Sequence, residues 1–214
     1  MVKYINTKPG QQVIIIYYTA AFAGQDLSRK GSVDEPIKEL VDFINSLESY
    51  FTTSSCSGRI VVLADTPEEE PSIQKDGCKW VHVSHIKCTC EEIFTKLDPS
   101  IGDLSFKFEA FVLHVQCRTL DDAQLMLSCG VQAGFRNSGI SLKSRKNSNQ
   151  EWPKIIVAIR STHGIEAPLS TGGKLLVTSE YVDHIVTKAN MLMDENLKRI
   201  TRFHQKLVQQ IKVE

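Results

Sequence analysis

Phe51-Thr52-Thr53-Ser54-Ser55-Cys56-Ser57-Gly58-Arg59-Ile60 is the stretch on which the fold turns. Six consecutive hydroxyl or thiol residues run into a glycine and an arginine, and the apolar run Ile60-Val61-Val62-Leu63 follows at once. A β-branched run of that kind reads as a buried strand, and the small polar residues ahead of it read as a short loop feeding it. Hydroxyls and loop N–H groups can surround an oxyanion, while Arg59 can fork onto a carboxylate or phosphate. That makes the stretch a candidate pocket floor. A plain helix-to-strand connection whose serines bond their own backbone explains the same residues, and the residues alone do not decide between the two.

Working outward, Pro36 opens a helix that Ser32 or Asp34 can cap, with Ile37, Leu40, Val41, Ile44 and Leu47 as its core-facing stripe. This helix delivers the chain to the Ser-rich stretch. Beyond the strand at 59–64, the segment from Thr66 to Pro71 is an exposed acidic turn, Trp80 to Ile86 a second strand, and Glu91 to Leu97 a short helix ended by Asp98-Pro99. Phe106 to Cys117 is a long strand. Phe106 and Phe108 share one parity, Phe111, Leu113, Val115 and Cys117 the other, so a bulge or bend is expected near Glu109. Thr119-Leu120-Asp121-Asp122 starts a helix that Gly134 stops. Strand Ile155 to Thr162 alternates, and His163-Gly164 reads as a turn into a partner strand ending at Leu169. Residues 179–212 carry a nearly continuous apolar stripe on one terminal helix. Strands and helices mix without regular β-α-β alternation, which predicts an α+β fold with a mixed or antiparallel sheet flanked by helices.

The 214 residues, 42% of them apolar, suffice for a real core. Acidic and basic residues balance at 25 each, so charged recognition must be local. The six cysteines form no disulfide framework. Val13 to Ala23, preceded by Lys3 and Lys8 and ending Ala21-Phe22-Ala23, mimics a secretory signal and is too short to span a bilayer. The absence of any Asn-x-Ser/Thr site and the unpaired-looking cysteines favour an intracellular, cytoplasmic protein with no membrane partner.

No Gly-x-Gly-x-x-Gly follows a strand and no phosphate-loop lysine motif occurs, so both nucleotide-binding fingerprints are missing. His82, His85, Cys88 and Cys90 lie close in sequence, yet the two histidines point to opposite faces of a strand and Cys-x-Cys lacks a second pair; no metal site is expected. Cys56 beside Arg59 has the setting of a nucleophile, with His85, His114 and His163 all available as its base, or of a small buried residue. His114 shares a strand face with Gln116, and a hydrogen-bonded core histidine is the competing reading. Arg136-Asn137-Ser138-Gly139 and the loop Lys143 to Asn147 suit RNA phosphates or plain solvent. Arg160, on the polar face of a strand, is a stronger binding candidate, with a structural ion pair as its rival reading.

Taken together, Leu27 to Glu35, Thr52 to Ile60, Lys107-Phe108-Glu109 with Val112 to Arg118, Gly134 to Ile140 and Ala158 to Gly164 resemble the third wybutosine-synthesis protein of eukaryotes and archaea, in order over roughly residues 25 to 206. The resemblance implies an S-adenosylmethionine-dependent tRNA methyltransferase. Its substrate would be N4 of the tricyclic 7-aminocarboxypropyl-demethylwyosine beside the anticodon of phenylalanine tRNA, with other enzymes of the pathway as further partners. A ring nitrogen attacks a sulfonium carbon directly, so no covalent cysteine is needed. On that reading Ser54, Ser55, Cys56, Ser57, Gly58 and Arg59 cradle the cofactor, and His114 relays a proton or bonds the base. Arg136, Asn137, Ser138, Arg160, Ser161 and Thr162 complete the substrate site. The alternative within the same pathway is a non-catalytic scaffold that presents the tRNA. Residues 25–214 are then one methyltransferase domain, and residues 1–24 an atypical extension where the family begins with a charged helix. Ala110 stands where relatives commonly carry proline, which removes a rigid element from the bend without removing a functional group.

Overall fold

The computed structural model describes residues 32–65, 78–143 and 154–211. The expected extension 1–24, the start of the Leu27 motif, the acidic turn after Thr66 and the basic residues 144–147 lie outside them. After a 3-10 turn at Glu35–Ile37 come α1 (Lys38–Ser46), β1 (Tyr50–Asp65), β2 (Cys78–Ser84) and α2 (Cys90–Phe94). A second 3-10 turn at Pro99–Ile101 leads to β3 (Asp103–Cys117), α3 (Leu120–Ala133), β4 (Gly139–Lys143) and β5 (Lys154–Arg160). Then follow β6 (Gly164–Pro168), β7 (Ser170–Thr171), β8 (Lys174–Leu175) and the 33-residue α4 (Ser179–Ile211).

The Ser-rich stretch is not a loop. It is the first half of β1, a 16-residue strand hydrogen-bonded to β3 from Tyr50 opposite Cys117 to Asp65 opposite Asp103. Threonines fit a pleated surface, and β3 offers a long apolar partner, so pairing overrides the turn propensity of serine. Among the described residues the outer edge of this half has no strand beside it, and side chains take its amides instead. Asn45 Oδ1 accepts from Thr52 N–H at 2.8 Å, and Asp34 Oδ2 accepts from Ser57 N–H at 2.7 Å. Asp34 therefore does not cap the first helix with its side chain, as expected from sequence; its carboxylate is spent on β1.

The sheet is antiparallel throughout, in the order β2-β1-β3-β5-β4, with β6 added to β3. Here the expected β5–β6 pairing fails. β5 lies against Val112–Cys117 of β3 and β6 against Ser105–Glu109 of the same strand, end to end. The chain between Arg160 and Gly164 thus crosses the level of Glu109 to Phe111, where the bend was expected, and the parity of buried residues in β3 does change there. β7 and β8 form a small hairpin through Gly172 and Gly173, both at positive φ.

All four helices pack on one face. One buried cluster joins Phe111, Leu113 and Val115 to α1, α3, and Ile200, Phe203 and Leu207 of α4. The other joins Ile60, Val62, Phe106 and Phe108 to Ile93 of α2 and to Val182, Val186 and Met193 of α4. α4, roughly 50 Å long at 1.5 Å per residue, spans both. Between the clusters the stripe changes register: Leu197 is exposed and Asn196 is buried. Asn196 Nδ2 donates to the Ser57 carbonyl at 2.7 Å and its Oδ1 accepts from Phe111 N–H at 2.8 Å, so one carboxamide bridges β1 and β3 at the bend. Gly58, at φ +101°, leaves room for it; a Cβ there would stand 2.9 Å from Asn196 Nδ2.

Candidate active site

The face opposite the helices carries, among the described residues, no helix, and its polar side chains gather at the bend. Cross-strand register fixes who meets whom. Ser54, His114 and Ala158 form one row across β1, β3 and β5; Cys56, Val112 and Arg160 form the next. Ser54 Oγ lies 2.8 Å from His114 Nδ1, and Arg160 Nη2 lies 2.8 Å from His114 Nε2. A guanidinium only donates, so Nε2 is the bare nitrogen of a neutral ring and Nδ1 carries the hydrogen that goes to Ser54. His114 is thereby a strut for Arg160. The turn after α3 is tied to the same point, because Ser138 Oγ accepts from Arg160 N–H at 3.0 Å and donates to Phe135 carbonyl at 2.7 Å. That brings exposed Arg136 and Asn137 beside Arg160.

Farther along, Arg59 Nε donates to Glu109 Oε2 at 2.6 Å and its Cζ lies 4.7 Å from the ring centroid of Trp80. Each contact is worth at most about 1 kcal/mol at such exposure, enough to orient the side chain and not to bury it. Its Nη groups make no hydrogen bond among the described residues.

The cradle predicted at 54–59 is split by the pleat. Ser54, Cys56 and Arg59 belong to the open face, whereas Ser55 pairs with core Leu113 and Ser57 is buried with its N–H on Asp34. A ring of loop N–H groups around an anion is therefore not what these residues build. At the outer edge of Cys56, Asp34 and His85 close in, with ligand-type atoms of all three within 4.8 Å of one another. Burial, reinforced by Asp34 and Glu109, raises the Cys56 thiol above its ordinary value against the lowering effect of Arg59. A raised thiol pKa is the opposite of what an activated cysteine nucleophile needs, so the setting favours a pocket residue. The four residues close in sequence are dispersed: His82 Nε2 meets Cys88 Sγ at 3.2 Å and its Nδ1 meets Lys96, His85 lies with Asp34 and Cys56, and Cys90 contacts the Ser179 carbonyl.

Ser161 and Thr162 continue from Arg160 around the bend, Ser161 Oγ accepting from His163 N–H at 3.1 Å. Arg199 of α4 reaches up from the helix side: Nη2 stands 2.9 Å from His163 Nε2, Nη1 donates to Gly134 carbonyl, and Nε donates to Glu195. His163 is held neutral, its pKa lowered by burial and then by Arg199. Its Nδ1 is buried and unpartnered among the described residues. A cavity of about 440 Å³ lies away from this region between α1 and α4; Glu35, Glu39 and Asp42 outnumber Lys38 in its lining, a poor charge balance for a polyanion.

Sequence reasoning singled out His114, Arg160, Ser138 and Ser54, and the fold brings them together. It missed the contact of Asp34 with His85, Trp80 and Glu109 as neighbours of Arg59, and Asn196 as the buried support beneath the bend. Long-range pairing alone creates those neighbours, so no local spacing announces them.

Among the described residues this is an α+β protein whose open sheet face gathers polar side chains at a bend. The family model described as Methyltransferase TYW3 matches residues 15–209, and the chain belongs to that family. It is 51% identical over 179 residues, 84% of this chain and 68% of the relative, to the tRNA wybutosine-synthesizing protein 3 homolog of Xenopus laevis. To the tRNA(Phe) 7-((3-amino-3-carboxypropyl)-4-demethylwyosine(37)-N(4))-methyltransferase 1 of Pyrococcus horikoshii it is 37% identical, over 84% of this chain and 86% of that one. The solved structure of the PH1069 protein from Pyrococcus horikoshii superposes with a TM-score of 0.68 at 37% identity, covering 83% of this chain and 87% of that chain.

Proposed function

We propose that this chain is the methyltransferase that places a methyl group on N4 of the tricyclic 7-aminocarboxypropyl-demethylwyosine next to the anticodon of phenylalanine tRNA, with S-adenosylmethionine as donor. The observation that carries the reading is membership of the TYW3 methyltransferase family together with 37% identity, over most of both chains, to the archaeal enzyme named for that reaction.

The residues on the open face fit this task. A methyl donor of that kind offers a carboxylate, an ammonium, ribose hydroxyls and a flat base, and the chain offers Arg59, Glu109, Ser54 and the exposed Trp80 ring. Bound there, it supplies an electrophilic methyl group. Arg160, held by His114 and Ser138, is aimed at a tRNA phosphate, with Arg136, Asn137, Ser161 and Thr162 around it. Holding and orienting the flat base is then most of the catalysis, because alignment of nucleophile and methyl carbon needs no covalent enzyme group. Residues 25–214 act as one methyltransferase domain on this reading, with 1–24 as an extension to it. A cytoplasmic setting fits a tRNA-modifying enzyme, and no helix among the described residues is long and apolar enough to cross a membrane.

The test is transfer of labelled methyl from S-adenosylmethionine to tRNA from cells lacking this protein, with nucleosides resolved afterwards. Label in the demethylwyosine derivative of phenylalanine tRNA is the expected result. No label, with the chain folded and tRNA bound, would leave the scaffold role.

A further inference from the structure

Transfer of a methyl group to a ring nitrogen that carries hydrogen releases one proton, and some group must take it. Resting on the function proposed above, the first candidate is His114, but its Nε2 lone pair is already taken by Arg160 and its Nδ1 side by Ser54. As a base it would have to surrender the strut that holds Arg160.

The histidine beside Cys56, at the end of the neighbouring row, has the opposite arrangement. His85 Nδ1 stands 3.0 Å from the Gly58 carbonyl oxygen and 3.3 Å from Asp34 Oδ2. Both are acceptors, so Nδ1 carries the hydrogen and Nε2 keeps its lone pair. Nε2 makes no hydrogen bond among the described residues, and the side chain is 26% exposed over an Asp34 side chain that is only 4% exposed. Asp34 is itself pinned by Ser57 N–H at 2.7 Å. A buried carboxylate that fixes the tautomer and aims the far nitrogen outward is the arrangement of a general base.

Place along the sheet agrees. Arg160, Val112 and Cys56 stand in one cross-strand row, and His85 adjoins Cys56. At about 4.8 Å per strand, Arg160 and Cys56 are roughly 10 Å apart. A nucleotide anchored by its phosphate at Arg160 therefore extends its base over Val112 towards Cys56 and His85. Because Nδ1 lies on a carbonyl and carries hydrogen, the Asp34–Cys56–His85 group is a base with its support rather than a metal cage.

The geometry points to His85, oriented by Asp34, as the proton acceptor of the reaction, with His114 positioning Arg160. The balance is simple: the N–CH3 bond forms as the S–CH3 bond breaks with its electron pair left on sulfur, and the proton of the ring nitrogen passes to Nε2 of His85.

The test uses the full chain in three variants. His85→Asn keeps an N–H donor towards Gly58 and removes the basic nitrogen; Asp34→Asn keeps an acceptor for Ser57 N–H and removes the charge; His114→Gln removes the strut. His85→Asn should lower kcat at least 100-fold with KM for tRNA unchanged, and imidazole in the medium should restore part of the rate. His114→Gln should raise KM for tRNA and change kcat less. Independently of activity, nitrogen-15 spectra of labelled histidine should report His85 as the Nδ1–H tautomer in the wild type and as a tautomer mixture in Asp34→Asn. Near-normal kcat in a folded His85→Asn, or the proton found on Nε2 of His85, would overturn the assignment. A wild-type protein that binds tRNA yet transfers no methyl would sink the proposed function instead, while the tautomer measurement still judges the dyad.

Discussion

At the scale of single residues, the site is built from side chains that hold other side chains. His114 is engaged at both ring nitrogens, and its work is to aim Arg160. Arg160→Ala should weaken tRNA binding across all tRNA sequences and reduce the salt slope of that binding by about one, the signature of one lost phosphate contact. Combining it with His114→Ala should add little to either single effect, since both changes remove the same arm; binding isotherms of the three variants test this. Asn196 is costly to lose. Asn196→Ala leaves the Ser57 carbonyl and Phe111 N–H without partners in a dry setting, at about 1–3 kcal/mol each, and should lower the denaturant midpoint accordingly. His163 gives a pH signature. Burial and Arg199 lower its folded pKa below the ordinary 6.5, as burial and Lys96 do for His82. Above 6.5 both are neutral in either state and their share of stability is intact. As pH falls below 6.5 the unfolded chain takes up protons first, so that share is lost through the window beneath 6.5. Denaturant midpoints at pH 7.5 and 5.5 should therefore fall with acid, and less steeply in His163→Gln.

Elements differ in how plainly the chain announces them. α3 was legible almost to the residue, because its ends are chemical: Thr119 and Asp122 form a reciprocal cap and Gly134 closes at φ +106°. Thr119→Ala should cost about 1 kcal/mol, read as a shift in thermal midpoint. α4 was legible from its stripe, apart from the inward Asn196, which a hydrophobic pattern cannot nominate. The bend in β3 showed in the parity of its phenylalanines. The first half of β1 did not show, because six hydroxyl or thiol residues carry no apolar alternation and the strand exists through its partner. The end-to-end placement of β5 and β6 was hidden for the same reason: Arg160 to Gly164 has turn chemistry, but pairing with β3 depends on residues some fifty positions earlier. Of the site, what a strand face predicts was readable, namely His114 with Arg160. The meeting of Asp34 with His85 joins two segments through the edge of a third, and no periodicity encodes it.

For the molecule as a whole, the face proposed for binding and the face that carries the core are separate. Helices cover one side of the sheet, and the polar rows at the bend occupy the other, so changes at Arg160 or Arg59 should cost no more than about 1–2 kcal/mol of unfolding free energy while altering activity. On the proposed function, that separation also explains why balanced total charge says little: recognition needs only a few cations in the right rows. The two buried clusters share no residue, yet β1, β3 and α4 run through both. Three continuous rods tie the halves together at the level of Asn196. Native-state hydrogen exchange should accordingly find the amides of β5 and of β6 opening with one common free energy rather than as two independent units, and in Asn196→Ala the two sets should drift apart.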